Sequence, residues 1–344
     1  MKSLVLPPLS ALYEAIIRSR TALYERGTFR RSKLPRPVIS VGNITTGGTG
    51  KTPLVEWVSR LLANHGKTVC ILTRGYGRKN SGQRVLVSDG TQVFADPSEA
   101  GDEPFLLATS LLGAAAVISD ADRFAAGQGA IKHLSTNCFV LDDGFQHLQL
   151  ARDLNIITVD ATDPWGGRQM LPYGRLREPL TGLKRADCVV LTRCEQVEDP
   201  APILTEAAQL TGGRPVFKST THTRRIAPLA DRTSDLEPLT PVAAFCAVGN
   251  PDSFFTHLKR DGSEPIFKKS FRDHHVYSQD DVSKLVNSAK QAGARSLITT
   301  AKDAVKLRGF NFEIPCYSVE VTLHIENETE LTRMILKSAM SDML

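Results

Sequence analysis

Apolar positions along the chain fall into two kinds of block: short unbroken runs of Val, Ile, Leu and Cys, and longer stretches with apolar residues three or four apart. The runs at 38–41, 68–73, 114–118, 138–141, 155–159 and 188–192 have no polar face, which is the pattern of parallel strands buried on both sides. After the first run, Leu54, Val55, Val58, Leu61 and Leu62 share one side of a helix. Further helices are predicted from Asp102 and from Asp122-Arg123, and residues 85–94 read as a β-hairpin around Asp89-Gly90. Polar residues and prolines interrupt the pattern at 229–241. A second series follows, with strands at 243–248, 266–271, 296–300 and 317–321 and helices from 252, at 279–292, at 302–307 and at the end. Alternating strands and helices predict an α/β fold, a mostly parallel sheet flanked by helices, with a second, smaller α/β domain. The expected division is an arm at 1–37, a first domain at 38–228 and a second at 229–344, which closes over a cleft.

The arm has its own pattern. Leu12, Ala15, Ile16 and Leu23 lie on one helical face, with Tyr13 and Tyr24 as amphipathic edges. Pro7-Pro8, Glu14 and the arginines break any long apolar core, so it is no secretory signal and no membrane span. Lys2, Arg18, Arg20, Arg26, Arg30, Arg31, Lys33 and Arg36 face only Glu14 and Glu25, so residues 1–40 carry +6 where the whole chain carries +5, and the remainder is close to neutral. Such a helix either lies in an anionic membrane interface or packs on its own domain. No recognisable nucleic-acid-binding motif accompanies the basic residues. Elsewhere the composition is that of an ordinary globular protein, and 344 residues suffice for two cores. The six cysteines show no metal-like spacing and read as reduced core residues of a cytosolic protein.

The candidate chemistry sits at the ends of the apolar runs. Val38-Ile39-Ser40-Val41 leads into Gly42-Asn43-Ile44-Thr45-Thr46-Gly47-Gly48-Thr49-Gly50-Lys51-Thr52, the strand–loop–helix context of a phosphate-binding P-loop, although Thr45 stands where the usual pattern begins with Gly. Backbone N–H groups of Thr46, Gly47, Gly48, Thr49 and Gly50 would cradle phosphates, Lys51 would reach the β- and γ-phosphates, and Thr52 would hold Mg²⁺. Asp142 and Asp143 end the run at 138–141, where P-loop proteins place an acid that supports the metal. Asp102 and Glu103 open a helix, where acids also serve simply to complement the dipole. The Pro- and Gly-rich segment 164–179, with Trp165, Tyr173, Arg175, Arg177 and Glu178, reads as a substrate loop. Arg74-Gly75-Tyr76-Gly77-Arg78 and Arg272-Asp273-His274-His275 follow strands of the two series.

Taken together these runs, with Gly101-Asp102-Glu103-Pro104, Asp142-Asp143-Gly144-Phe145-Gln146-His147, Gly174-Arg175-Leu176-Arg177-Glu178-Pro179 and Thr299-Thr300-Ala301-Lys302-Asp303-Ala304-Val305-Lys306-Leu307, resemble the tetraacyldisaccharide 4′-kinase family, the lipid A 4′-kinases of Gram-negative bacteria. The match covers nearly the whole chain; the family shares Thr45, and Ala301 departs from it where an acid is expected. The resemblance implies ATP- and Mg²⁺-dependent phosphorylation of the 4′-hydroxyl of tetraacyldisaccharide 1-phosphate, giving lipid IVA at the cytoplasmic face of the inner membrane. By the same resemblance, Asp102 is the general base and His274 its partner. Glu103 and Asp142 organise Mg²⁺, Asp143 supports the site, Tyr76 meets the disaccharide, and Arg123, Arg177 and Glu178 are further substrate residues. Two other readings stay open: a P-loop kinase of a small soluble metabolite, and a non-enzymatic nucleotide switch. The switch should carry an Asn-Lys-x-Asp motif, where this chain has Leu191-Thr192-Arg193-Cys194.

Overall fold

The computed structural model describes residues 2–80, 82–230 and 237–340. Of the expected boundary at 229–241, residues 231–236 lie outside the described residues. The elements are α1 (Lys2–Glu25), β1 (Val38–Gly42), α2 (Lys51–Asn64), β2 (Val69–Thr73), β3 (Val85–Ser88), α3 (Pro97–Ala100), α4 (Asp102–Ser110), β4 (Ala115–Ser119), α5 (Arg123–Leu134), β5 (Cys138–Asp142), β6 (Leu154–Asp160), β7 (Cys188–Thr192) and α6 (Ala201–Thr211). They continue with β8 (Val216–Pro228), β9 (Val242–Cys246), α7 (Pro251–Arg260), β10 (Phe267–Ser270), α8 (Gln279–Gln291), β11 (Ser296–Thr300), α9 (Ala301–Lys306), β12 (Cys316–Ile325) and α10 (Glu328–Ala339).

The apolar runs are the central strands: β1, β2, β4, β5 and β7 are buried at every position, as strands covered by helices on both faces must be. The described strands form one sheet in the order β10-β9-β11-β12-β8-β7-β6-β1-β5-β2-β4-β3. Pairing is parallel except between β3 and β4 and between β8 and β12. β1 lies between β5 and β6, with Val41 opposite Asp142 on one side and Ile156 on the other. That register sets the P-loop beside the acids ending β5. The hairpin expected at 85–94 is reduced to β3 and a single Ser88–Val93 bridge, because Asp89 accepts from the Thr91 and Gln92 backbone N–H groups and closes a tight turn.

β8 has no apolar run and was not legible as a strand. It starts parallel to β7, with Val216 opposite Val189, then pairs antiparallel with β12 from Ser219–Ile325 to Pro228–Tyr317. This ribbon carries the sheet from a first lobe into a second. The division is not a clean cut along the sequence. Leu323 and Ile325 of β12 and Leu331, Ile335 and Ala339 of α10 belong to the core beneath α2, so the end of the 229–344 segment packs into the first lobe.

The segment 164–179 is mostly core rather than an open substrate loop: Trp165, Met170 and Leu176 are buried with Ile157, Val189 and Leu191. α1 rides on it. Ser10 Oγ donates to Met170 O at 2.7 Å and Tyr13 OH to Arg177 O at 3.0 Å, while Arg20 Nη1 reaches Gln146 O at 3.2 Å. These contacts leave Leu9, Leu12 and Ile16 on the outer face of the helix, 45%, 59% and 55% exposed.

Candidate active site

A cleft of about 1830 Å³ runs between the lobes, with the P-loop on one side and the loops after β10 and β11 on the other. The P-loop turns on Gly47 and Gly50, whose φ values of 105° and 77° are left-handed and favour residues without Cβ. Side chains from elsewhere hold it in shape. Arg175 Nη2 donates to Thr46 O at 2.8 Å, and Thr46 N donates to Arg175 O at 2.7 Å. Arg193 Nη1 donates to Gly48 O at 2.7 Å and Thr192 Oγ1 to Thr49 O at 3.0 Å. The Thr49 side chain points inward, its hydroxyl 2.8 Å from Thr158 Oγ1. The second lobe also touches this loop: a Cβ on Gly249 would stand 2.6 Å from Gly47 Cα, so only glycine fits.

Lys51 and Thr52 begin α2 and line the cleft. Lys51 Nζ donates to Asn43 Oδ1 at 3.2 Å and lies 3.6 Å from Asp143 Oδ1. Asn43 is fully buried and donates its Nδ2 to Thr45 O at 2.8 Å, so it fixes both the lysine and the loop. Asp143, in a left-handed conformation at φ 52°, accepts two hydrogen bonds from Arg177, each 2.7 Å. Burial alone would raise its pKa, but Lys51 and Arg177 outweigh that and hold it well below the usual carboxylate range. Asp142, next to it, goes the other way. It is 3% exposed and accepts from Thr73 Oγ1 at 3.0 Å; burial, then the charges of Glu103 and Asp143, push it up to about 7.

Beside the P-loop on the first lobe, Asp102 and Glu103 open α4, while His274 and Lys302 come from the second lobe. His274 Nδ1 stands 3.4 Å from Asp102 Oδ2, and Lys302 Nζ lies 2.9 Å from Glu103 Oε1, 3.4 Å from Asp273 Oδ1 and 3.3 Å from His274 Nε2. Lys306 Nζ is 3.8 Å from Asp102 Oδ2. Burial opposes the charged forms of both Glu103 and Lys302, but their attraction prevails: Glu103 is lowered and Lys302 is raised to about 12. Tyr76 is 70% exposed and its ring lies 5.2 Å from that of His274. Arg123 lines the same wall, with burial and then Arg74 lowering its pKa.

The structure thus brings Lys51, Thr52, Tyr76, Glu103, Arg123, Asp142, Asp143, Arg177 and His274 to one cleft, with Asp102 3.4 Å from His274. Glu178 is the exception and corrects the expectation of a substrate contact. It is 2% exposed, paired with Arg185 and accepting from Gln146 Nε2 at 2.6 Å, so it braces the loop from behind. Sequence reasoning missed Asn43 and Lys302 as site residues. Lys302 carried a signal, since a lysine in the first turn of a helix opposes the dipole and needs another reason to be there. The six cysteines are all buried and free. Among the described residues no group of three His, Cys, Asp or Glu gathers as a metal cluster. The hard oxygen donors available are Asp142, Glu103 and the Thr52 hydroxyl, a set suited to Mg²⁺ that shares phosphate oxygens.

Residues 2–340 match the family described as tetraacyldisaccharide-1-P 4′-kinase. Tetraacyldisaccharide 4′-kinase of Geobacter metallireducens is 44% identical over 313 residues, covering 88% of each chain. That of Desulfotalea psychrophila is 38% identical over 337 residues, covering 97% of this chain and 96% of its own. A crystal structure of LpxK from Aquifex aeolicus in complex with ATP superposes with a TM-score of 0.75 at 34% identity, over 96% of this chain and 98% of that one. A P-loop facing an acid–histidine pair, with a family match spanning both lobes, settles the assignment: the chain belongs to the tetraacyldisaccharide-1-P 4′-kinase family.

Proposed function

We infer that the chain carries its family's activity, transfer of the γ-phosphoryl group of ATP to the 4′-hydroxyl of tetraacyldisaccharide 1-phosphate, giving lipid IVA. The observation that carries this reading is the cleft itself, which Lys51 on the P-loop and Glu103 line together with His274 of the second lobe, the histidine 3.4 Å from Asp102. The loop fits a nucleotide, since the left-handed turns at Gly47 and Gly50 shape its backbone into a cradle for anionic oxygens, and the acids with Thr52 fit Mg²⁺. Bound MgATP supplies the phosphoryl group and neutralises its charge.

The chain's own residues do the rest. Lys51 presents a cation where negative charge builds, and Asn43 with Asp143 keeps it extended across the loop. Asp102 accepts the proton of the attacking hydroxyl, and His274 orients that carboxylate. Thr52, Glu103 and Asp142 would hold the metal. Tyr76, exposed beside His274, is placed to meet the sugar, and Arg20, Arg74 and Arg123 make the adjoining wall positive for an anionic substrate. Arg177 acts through Asp143.

α1 fits a peripheral anchor at the cytoplasmic face of the inner membrane. Leu9, Leu12 and Ile16 point outward, basic residues flank them, and Arg20 reaches the cleft. No helix among the described residues is long and apolar enough to cross a membrane. In this scheme residues 1–37 are the membrane arm, 38–228 with the end of β12 and α10 the kinase domain, and the rest of 229–344 the domain that closes the cleft. The test is transfer from labelled ATP to tetraacyldisaccharide 1-phosphate in detergent, beside a panel of soluble sugars, with folded Lys51→Ala as the control. Transfer to the lipid acceptor alone, lost in Lys51→Ala, is expected. Equal transfer to a soluble sugar, or none to the lipid, overturns the reading.

A further inference from the structure

Three groups from two lobes meet at His274, and one can act there only as a donor. Lys302 lies in the first turn of α9, 15% exposed in its side chain, with its ammonium 3.3 Å from His274 Nε2. A lysine ammonium has three N–H bonds and no lone pair. In this contact His274 Nε2 must therefore accept, and the ring proton of the neutral imidazole sits on Nδ1. Nδ1 is the atom 3.4 Å from Asp102 Oδ2. The other carboxylate near Nε2 offers no better use for a proton there, since Asp273 Oδ1 is 4.0 Å away and is itself 3.4 Å from Lys302.

We propose that Lys302 is a positioning residue for the phosphoryl transfer: its ammonium donates to His274 Nε2, fixes the Nδ1–H tautomer and so aims the Asp102 carboxylate. Glu103 Oε1 and Asp273 Oδ1 hold the ammonium in place from two sides, one from each lobe. The lobes must therefore be together for the oriented ring to meet Asp102, and Glu103 then adds its hold on the ammonium. With the lobes apart, Lys302 loses Glu103 and is held by Asp273 alone, and Asp102 is left without its partner. Nothing is transferred to or from Lys302. The hydroxyl proton still passes to Asp102, the acceptor oxygen bonds to phosphorus, and the bond to the departing nucleotide breaks.

This inference rests on the kinase reading, and the experiment separates the two. Wild type, Lys302→Met and Lys302→Arg are compared by ring ¹⁵N spectra of His274 and by steady-state transfer to the lipid acceptor. Wild type is expected to show Nδ1–H and an unprotonated Nε2. Lys302→Met should mix the tautomers and lower kcat by about 10²-fold, the lower end for a disabled acid–base group, with KM for ATP within about threefold. Lys302→Arg, still a donor, should restore the tautomer and much of kcat. An Nε2–H ring in the wild type overturns the inference without any variant. So does a Lys302→Met protein whose loss lies in stability or in KM while the tautomer stays put, as a mere bridge between lobes would give. An Nδ1–H spectrum in a wild-type protein that transfers nothing to the lipid overturns the reaction assigned to the site and leaves the hydrogen bond standing.

Discussion

Asp142 and Asp143 are neighbours in sequence with opposite electrostatics, and the difference is geometric. The strand holds Asp142 inward, while the left-handed turn at Asp143 swings its carboxylate to Arg177 and Lys51. A carboxylate whose folded-state pKa lies above its unfolded value favours the fold at low pH, and that contribution is lost as pH rises through the folded value, here about 7. Asp142→Asn should therefore stabilise the nucleotide-free protein at pH 8 by on the order of 1–2 kcal/mol, with little gain at pH 4, near the unfolded value, while ending catalysis. Urea midpoints of both proteins at the two pH values check this; no gain at pH 8 would mean that Asp142 ionises without strain. Asp102 and His274 should behave as one unit. Each single alanine variant should lose roughly 10²- to 10⁴-fold in kcat, and the double variant little more than the worse single. Multiplicative losses in that cycle would show two independent contributions.

At the scale of elements, what was legible in the sequence depended on burial. Strands covered on both faces, such as β2 and β7, announce themselves as unbroken apolar runs. β8 does not: Lys218 and Thr220 are half-buried and His222 and Arg224 exposed along the joint between the lobes, so its sequence carries no such run. The site divided in the same way. Residues of the P-loop and the strand-end acids follow from local pattern, whereas Asn43 and Lys302 matter through partners that only the fold supplies. α1 was ambiguous for a related reason. Its inward contacts run through Ser10, Tyr13, Arg20 and Tyr24, so Leu12 and Ile16, which looked like part of a core face, point outward. Leu12→Glu with Ile16→Glu should detach the protein from anionic vesicles and raise apparent KM for the lipid while sparing ATP affinity. Flotation and nucleotide titration of the same variant test it; flotation like wild type would place docking elsewhere.

The molecule as a whole is tied at more than its ribbon. Leu331 and Ile335 of α10 are fully buried in the core beneath α2, so the chain's last helix supports the nucleotide-binding lobe. Both tryptophans, Trp57 and Trp165, pack with first-lobe cores, and their fluorescence reports on that lobe. Ile335→Ala should lower the fluorescence-detected unfolding stability by about 2–4 kcal/mol, and an unmoved transition would show that α10 contributes little there. The outward face of α1 has a further consequence for kinetics. An enzyme adsorbed by that face meets its acceptor in a film rather than in solution, so the concentration that governs turnover is a surface density. At fixed bulk concentration, diluting the acceptor with inert phospholipid slows such an enzyme in step with the acceptor's mole fraction, whereas adding more film of the same composition, once all the enzyme is adsorbed, leaves the rate unchanged.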